Sequence, residues 1–163
     1  MTSGPDCLAL ITHFEGFRAT SYQDVAGIWT IGYGTTRAEG RPVTAGMSCT
    51  SDQAKVWLKT DVIDAERSVT QSCRTTLTQY QFDALVCLVY NIGVGNFLKS
   101  SILRVINAGG LGTSLAGPLA VTEAQFTAWN KVRQGTQLVE VPGLTRRRKS
   151  EYHLYSMGTV QFF

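Results

Sequence analysis

The sequence has no long hydrophobic run. Its longest uninterrupted apolar stretch, Ala84 to Tyr90, has seven residues, whereas a helix needs roughly 20 to cross a bilayer. We therefore expect no stable membrane insertion. Charged residues make up only 17% of the 163 residues and hydrophobic residues 44%. This balance excludes intrinsic disorder, and the length fits a single folded domain.

Histidine is scarce, and the cysteines are scattered. His13 and His153 are 140 residues apart, which gives little support to a zinc peptidase because such enzymes use clustered ligands. The four cysteines form no close pair of the zinc or redox type and are expected to be free thiols. A cysteine–histidine nucleophilic pair stays open, although no local motif marks it. We predict that the protein uses no metal and no cofactor.

Basic charge is concentrated near the C-terminal end. The net charge is +3, and residues 1–120 contain nine basic and nine acidic residues, whereas residues 121–163 contain six and three. Four of those six form the run Arg146-Arg147-Arg148-Lys149. This run is either a solvated helix face or a surface that attracts an anionic polymer. Nucleic acid is not expected as the partner, because aromatic residues do not interleave with the run.

Near the N-terminus, β-branched and aromatic residues predict a hairpin. The segment 18–36 contains the runs Tyr-Gln-Asp, ending at Asp24, and Ile-Trp-Thr-Ile-Gly-Tyr-Gly, ending at Gly34. Glycine weakens the packing of a strand. Gly32 and Gly34 therefore indicate either the close approach of another group, backbone or ligand, or a sharply twisted small sheet.

Most of the remaining chain has helical periodicity. Three helix starts carry a capping box, in which a threonine hydroxyl and a glutamine amide each bind a backbone N–H; these are Thr50 with Gln53, Thr78 with Gln81, and Thr122 with Gln125. The predicted helices cover residues 5–13, about 20 residues after Thr50, 79–91, 100–108, 125–132 and 144–156. A glycine-rich loop is expected over 109–118.

These elements predict an α+β, mainly α, fold. A small β-hairpin lobe over about 14–50 faces a helical lobe made of 1–13 and 51–163. The long helix after Thr50 joins the two lobes. A cleft between them is the expected ligand site.

Two carboxyl groups near the hairpin suit acid–base chemistry. Glu15 lies between Phe14 and Gly16-Phe17, and if it faces inward the loss of water favours its protonated form, which a general acid requires. Asp24 lies at the hairpin turn, where we expect it to be solvated and ionised. Thr30 follows on the returning strand, with a hydroxyl that can hold a water. This set suits cleavage of a glycosidic bond, although a helix-end glutamate and a turn aspartate are also common structural features.

The spacing of these residues carries a family resemblance. Eight residues separate Glu15 from Asp24, and five separate Asp24 from Thr30. This pattern resembles the phage-type lysozymes, the endolysins that break the bacterial cell wall at the end of infection. The likeness continues in the segments 81–100 and 126–151, and it covers about residues 8–156. It implies a lysozyme-like two-lobed fold that forms one catalytic domain over residues 1–163.

The resemblance also implies an activity and a site. The substrate is the peptidoglycan glycan strand, hydrolysed at the β-1,4 bond between N-acetylmuramic acid and N-acetylglucosamine, which lyses the host cell. Glu15 is then the general acid, Asp24 the second carboxylate, and Thr30 the residue that positions the attacking water. Arg147 falls where relatives have an arginine near the catalytic glutamate. The implied substrate-binding positions are Gly34, Thr36, Tyr90 and Ser100, with core packing for Tyr90 and a helix cap for Ser100 as the structural alternatives.

Three features depart from the family pattern. Thr35 stands where many relatives have a histidine after Ile-Gly-x-Gly, so the ion pair of that histidine is not expected. The loop over 109–118 is longer than usual. The chain shows no apolar export segment, and we expect a monomer that stays in the host cytoplasm until a separate holin releases it to the cell wall.

Two other functions stay open. A lytic transglycosylase needs the acid but no second carboxylate, because a sugar hydroxyl closes an anhydro ring; the position of Asp24 argues against it. A non-enzymatic, membrane-active protein would use the cationic helix over 144–156, which is short for that role.

Overall fold

The computed structural model describes residues 1–24, 27–109 and 120–163. Of the glycine-rich loop predicted over 109–118, all but Gly109 lies outside the described residues. The chain forms two compact units, one of Ile11–Ile63 and one of Met1–Leu10 with Asp64–Phe163. The predicted lobe boundaries follow changes of secondary structure, whereas these units follow packing, and the lobe division stays a prediction.

The predicted hairpin forms the first sheet of the unit 11–63. Strands β1 (Arg18–Gln23) and β2 (Trp29–Gly32) pair antiparallel, with Tyr22 opposite Thr30. The register shifts between Arg18 and Tyr22, so β1 carries an irregularity in its middle. The hairpin prediction is confirmed.

A second, very short hairpin and a helix complete this unit. Strand β3 (Arg37–Ala38) pairs with β4 (Arg41–Pro42), and helix α2 (Ser51–Asp61) follows. The buried core of the unit contains Ile31, Ala38, Val43 and Trp57, with Trp29, Met47 and Cys49 packed against it. The core thus includes side chains from the strands and from α2, which is why α2 belongs to this unit.

Helix α2 approaches β2 closely at a glycine. Gly32 has φ +67°, a left-handed conformation that glycine adopts without strain. A Cβ atom placed on Gly32 would lie 2.8 Å from the Cβ of Ala54 on α2. Of the two interpretations of the hairpin glycines, close approach of another element is therefore confirmed at Gly32.

The helix of about 20 residues predicted after Thr50 is present, but a turn at Val62 interrupts it. α2 ends at Asp61, and α3 (Ile63–Ser72) begins after Val62. The Asp61 carboxylate accepts a hydrogen bond of 2.5 Å from the hydroxyl of Thr35, which is fully buried. Thr35 therefore has a hydrogen-bond partner on α2, although it cannot form the ion pair of a histidine.

Helix α1 (Pro5–Glu15) begins at the predicted proline and ends two residues later than expected. The backbone N–H of Gly4 donates to Asp83 Oδ1 at 2.9 Å, and the Gln79 amide donates to the same atom at 2.8 Å. Burial raises the pKa of Asp83, and these hydrogen bonds partly offset the shift. The start of α1 is thus held by a buried carboxyl.

Helices dominate the other unit. Besides residues 64–72 of α3, it contains α4 (Gln79–Ile92), α5 (Val94–Leu98), α6 (Ser101–Asn107), α7 (Glu123–Thr127) and α8 (Pro142–Met157). Helix α4 is buried from Gln81 to Val89, as is typical of a helix with apolar residues on all sides. Helix α8 packs against α4 and α7. Among the described helices, none combines the length and apolarity that a bilayer crossing requires.

Capping boxes form at all three predicted helix starts. At α2, the Thr50 N–H donates to Gln53 Oε1 (2.8 Å) and the Gln53 N–H donates to Thr50 Oγ1 (3.2 Å). Helix α4 starts in the same way. At α7, the Thr122 N–H donates to Gln125 Oε1 (3.0 Å), and the Gln125 N–H also donates to the backbone carbonyl of Thr122 (3.1 Å).

The helix predicted over 125–132 is wrong beyond its first residues. Helix α7 ends at Thr127, and a hairpin of β5 (Lys131–Gln134) and β6 (Gln137–Glu140) follows. Val132 faces Val139 across this hairpin instead of continuing a helical stripe. The α+β, mainly α, class is confirmed.

Candidate active site

Glu15 is the last residue of α1. Gly16 follows with φ +70°, and its N–H bonds to the carbonyl of Thr12 at 3.2 Å, which ends the helix. Glu15 is exposed, and so is Phe17, whose ring packs against Tyr33 with 5.6 Å between the ring centroids. The predicted shelter of Glu15 between two phenylalanines is therefore wrong, because the chain turns at Gly16 and Phe17 packs on the hairpin.

The backbone of Ile28 connects Asp24 with Thr30. Asp24 directly follows β1, and Thr30 lies in β2. The Ile28 N–H donates to Asp24 Oδ1 (2.9 Å), and the Ile28 carbonyl accepts from Thr30 Oγ1 (3.1 Å). The Asp24 N–H donates to the same carbonyl (3.0 Å). The carboxylate and the hydroxyl are thus oriented by one residue of the hairpin.

The burial of these two side chains differs from the expectation for Asp24. Asp24 is half-buried rather than fully solvated, because the turn closes around it with backbone hydrogen bonds. Thr30 is 4% exposed, and its hydroxyl proton is directed at the Ile28 carbonyl. A hydroxyl that donates in this way still has oxygen lone pairs that can accept a hydrogen bond from water.

Gly34 and Thr36 lie in the same unit as Asp24 and are exposed on either side of the buried Thr35. Gly34 has φ +98°, which strains any residue with a Cβ atom. The two positions therefore offer backbone and a small side chain at the surface. Their assignment to substrate binding stays a prediction.

Tyr90 and Ser100 belong to the other unit. Ser100 is buried and caps α6, because its hydroxyl accepts from the Leu103 N–H at 3.1 Å. The helix-cap alternative is thus confirmed for Ser100. Tyr90 is half-buried in the last turn of α4. Contact of either residue with a glycan stays a prediction.

The basic run on α8 is not a solvated face. Arg147 and Arg148 are buried, and both donate to Oε1 of the fully buried Glu151, at 3.1 Å and 2.9 Å. Of the other two members, Arg146 is exposed and Lys149 is half-buried. The interpretation of the whole run as exposed cations is therefore wrong, because a glutamate three to four residues later on the same helix pairs with its two central members.

Three residues form hydrogen bonds to the candidate residues or their neighbours and could not be predicted from the sequence patterns. The Gln23 amide donates to the carbonyl of Gly27 at 3.1 Å, beside Asp24. Ile28 contributes only backbone groups, which leave no residue-type signal. Asn91 accepts from Arg148 at 2.9 Å and joins α4 to α8. The signal for Asn91 is a polar residue in the last turn of a largely apolar helix.

The cysteines are free thiols. Cys7 and Cys87 are buried side by side, with 3.4 Å between their sulfur atoms. Burial raises the pKa of Cys73 to about 11, so that thiol stays protonated at neutral pH. Within the described ranges, no group of three or more histidine, cysteine, aspartate and glutamate side chains has an arrangement that could hold a metal ion.

The chain is similar to known phage proteins. The phage lysozyme family matches residues 12–151. An endolysin of Acyrthosiphon pisum secondary endosymbiont phage 1 is 33% identical over 148 residues, which is 91% of this chain and 93% of that protein. A SAR-endolysin of bacteriophage PS119 is 36% identical over 58% of this chain and 55% of its own length.

Solved structures with the same fold support this similarity. An endolysin from Escherichia coli O157:H7 phage FAHEc1 superimposes with a TM-score of 0.86 at 35% identity, covering 99% of this chain and 97% of the other. The muramidase domain of SpmX from Asticaccaulis excentricus gives a TM-score of 0.80 at 31% identity, covering 93% and 95%. Both likenesses extend over nearly the entire chain.

Proposed function

The chain belongs to the phage lysozyme family of peptidoglycan-degrading enzymes, and from this premise we propose that it hydrolyses the β-1,4 bond between N-acetylmuramic acid and N-acetylglucosamine. The observation that carries the proposal is the hairpin geometry, in which Ile28 orients both the Asp24 carboxylate and the Thr30 hydroxyl. A carboxylate and a hydroxyl fixed to the same residue suit the orientation of one water molecule.

Glu15 acts as the general acid. Its carboxyl group donates a proton to the glycosidic oxygen as the bond to the leaving sugar breaks. Glu15 ends α1 and is exposed, so it can reach a bound glycan. Arg147 supports this glutamate in the proposed mechanism.

Asp24 and Thr30 act on the water. The Thr30 oxygen accepts one hydrogen of the water, and the Asp24 carboxylate accepts the other as the water attacks the anomeric carbon. We propose inversion, which needs carboxyl groups roughly 6.5–9.5 Å apart to leave room for that water. Gly34, Thr36, Tyr90 and Ser100 are the proposed contacts to the glycan strand.

The two rival functions are less well supported. A transglycosylase needs no second carboxylate, whereas the hairpin orients Asp24 and Thr30 through the same residue. A membrane-active protein needs an uninterrupted cationic face, whereas Arg147 and Arg148 on α8 are buried against Glu151.

The route to the wall is a separate proposal. The predicted route is that a monomer accumulates in the host cytoplasm and that a holin releases it. One relative is named a SAR-endolysin, which motivates release without a holin as the alternative. Expression with and without a holin distinguishes them: lysis without the holin contradicts the predicted route.

The decisive experiment compares wild type with Glu15→Gln on purified cell wall. We expect the variant to lose more than about 100-fold in turbidity-clearing rate, because its amide has the same shape but cannot donate an acidic proton. The variant should still bind sedimented wall. A variant that clears the wall at the wild-type rate contradicts the role of Glu15.

Mass spectrometry of the digest identifies the reaction. Hydrolysis gives reducing N-acetylmuramic acid ends that incorporate one oxygen from ¹⁸O-labelled water. Anhydro-muramic ends without label would instead establish transglycosylation, and the roles of Asp24 and Thr30 would then be wrong.

A further inference from the structure

A peptide group in the hairpin turn holds the Asp24 carboxylate. The carbonyl of Gly27 and the N–H of Ile28 belong to one planar unit. The peptide is trans, so the two groups point in opposite directions. The N–H end donates to Asp24 Oδ1 at 2.9 Å.

Gln23 holds the other end of the same peptide group. Its Nε2 donates to the Gly27 carbonyl at 3.1 Å. Hydrogen bonds in series polarise one another, and two bonds at opposite edges of the peptide plane also oppose its rotation. The Gln23 side chain is therefore one peptide group away from the carboxylate.

Backbone hydrogen bonds of the turn hold the peptide groups on either side of the Gly27–Ile28 peptide, from the Gly27 N–H to the Asp24 carbonyl (2.9 Å) and from the Asp24 N–H to the Ile28 carbonyl (3.0 Å). Gly27 has φ +77° and no side chain, and glycine permits a wide range of backbone rotation. The Ile28 side chain is 51% exposed, so packing restrains it weakly. Gln23, in contrast, is the last residue of β1 and pairs with Trp29 of β2. The strand end thus provides a fixed base from which the amide reaches the turn.

We propose that Gln23 is a positioning residue for Asp24, acting through the Gly27–Ile28 peptide. This inference rests on the proposed hydrolase function. The residue does not touch the reacting atoms; it keeps the Ile28 N–H directed at the carboxylate that acts on water. We expect its loss to lower kcat and to leave KM unchanged, because Gln23 is not one of the proposed contacts to the glycan.

The test uses three side chains of similar length at this exposed position. Gln23→Met removes the donor, and Gln23→Lys restores one. On soluble, uncrosslinked glycan strands we expect Gln23→Met to lower kcat by about tenfold, the size of one lost positioning hydrogen bond, with KM within about twofold. Gln23→Lys should recover most of that loss. Gln137→Met, an exposed glutamine on β6, is the matched control and should keep wild-type kcat.

The outcomes separate this inference from the function on which it rests. Full activity of Gln23→Met beside an inactive Asp24→Asn overturns the role of Gln23 and leaves the hydrolase intact. A fall in kcat that Gln23→Lys does not restore, or a rise in KM alone, also overturns it. Full activity of Asp24→Asn, in contrast, contradicts the proposed function. Thermal unfolding midpoints of the Gln23 variants should match wild type, and a lowered midpoint would assign the effect to folding.

Discussion

Individual side chains of the hairpin have more than one bonding role. Thr30 is buried, donates to the Ile28 carbonyl and keeps lone pairs for a water. Its hydroxyl therefore contributes to the turn and, in the proposed mechanism, to the chemistry. The two roles can be separated, because the Asp24 N–H also donates to that carbonyl.

Thr30→Val keeps the shape of the side chain and removes the hydroxyl. We expect kcat to fall on the order of 100-fold, because the attacking water loses one of its two anchors. The free energy of unfolding should change little, because the Ile28 carbonyl keeps its bond from Asp24. Steady-state kinetics and urea denaturation of Thr30→Val and Thr30→Ser measure the two effects. Equal kcat values for the two variants would show that the hydroxyl is not needed.

The titration of Asp61 makes the stability of the fold depend on pH. Burial raises the pKa of the Asp61 carboxyl from its ordinary value of 3.8, and the Thr35 hydrogen bond partly offsets the shift. At a pH between the ordinary pKa and the raised pKa, the folded protein binds more protons than the unfolded chain. The contribution of Asp61 to stability is therefore present below the ordinary value and is lost as pH rises through the raised one.

The Asp61→Asn variant removes that titration. The unfolding free energy of wild type minus that of the variant should decrease as pH rises from about 4 towards neutral, since the other carboxyls are common to both proteins and cancel. Urea denaturation at several pH values measures the difference. Thr35→Val, which loses the hydroxyl donor, should extend the wild-type decrease to higher pH. Parallel curves for wild type and Asp61→Asn would contradict the prediction.

Among the elements, α8 contains a buried charge cluster. Its central arginines share one oxygen of Glu151, and Asn91 on α4 binds Arg148 as well. A buried ion pair adds little net stability by itself, but removing one partner leaves uncompensated charge away from water. The attachment of α8 to α4 therefore depends on the glutamate.

The substitution Glu151→Gln tests this dependence. We expect a loss of about 3–5 kcal/mol in unfolding free energy, because two buried guanidinium groups lose the carboxylate that they share. Glu140→Gln is the control: Glu140 is exposed and lies 3.7 Å from Lys131, so it should cost less than about 1 kcal/mol. Guanidinium chloride denaturation gives both values. Similar losses in the two variants would mean that burial of the cluster does not matter.

Local signals predicted most elements, and where two signals competed the prediction failed. The capping residues fixed the starts of α2 and α4, because side-chain bonds to the backbone are local. The segment 131–140 is a hairpin, whereas the sequence predicts that a helix extends to Val132, because Val132 continues the helical spacing of α7. The competing signal is Gly135-Thr136, which lies between two strand-like runs and favours a two-residue turn. The spacing of Glu15, Asp24 and Thr30 identified the candidate site. The roles of Ile28 and Gln23 in it depend on turn geometry, which no residue pattern encodes.

At the scale of the whole molecule, the charge asymmetry is smaller than the sequence suggests. The C-terminal segment has six basic residues, but Arg147 and Arg148 pair with Glu151 in the interior. Of the basic run, only Arg146 and Lys149 reach water. Attraction to an anionic wall through α8 therefore depends on these two side chains.

The salt dependence of wall clearing tests this attraction. Activity should fall as salt rises, because exposed charges are screened beyond about 8–10 Å at physiological ionic strength. Replacing Arg146 and Lys149 together by glutamine should flatten the curve without abolishing activity. The control double variant, Lys55→Gln with Lys59→Gln on α2, removes the same charge from another exposed helix. Equal flattening in both would assign the effect to net charge rather than to α8.

The β5–β6 hairpin has a consequence for protein engineering. All but one of its strand residues are exposed, and its two strands pair with each other as a two-stranded antiparallel sheet. Exposed loop tips of this kind accept inserted sequence with little effect on the surrounding fold. The bond between Gly135 and Thr136 is therefore an internal attachment point, where an epitope or a wall-targeting peptide can be displayed without using either chain terminus.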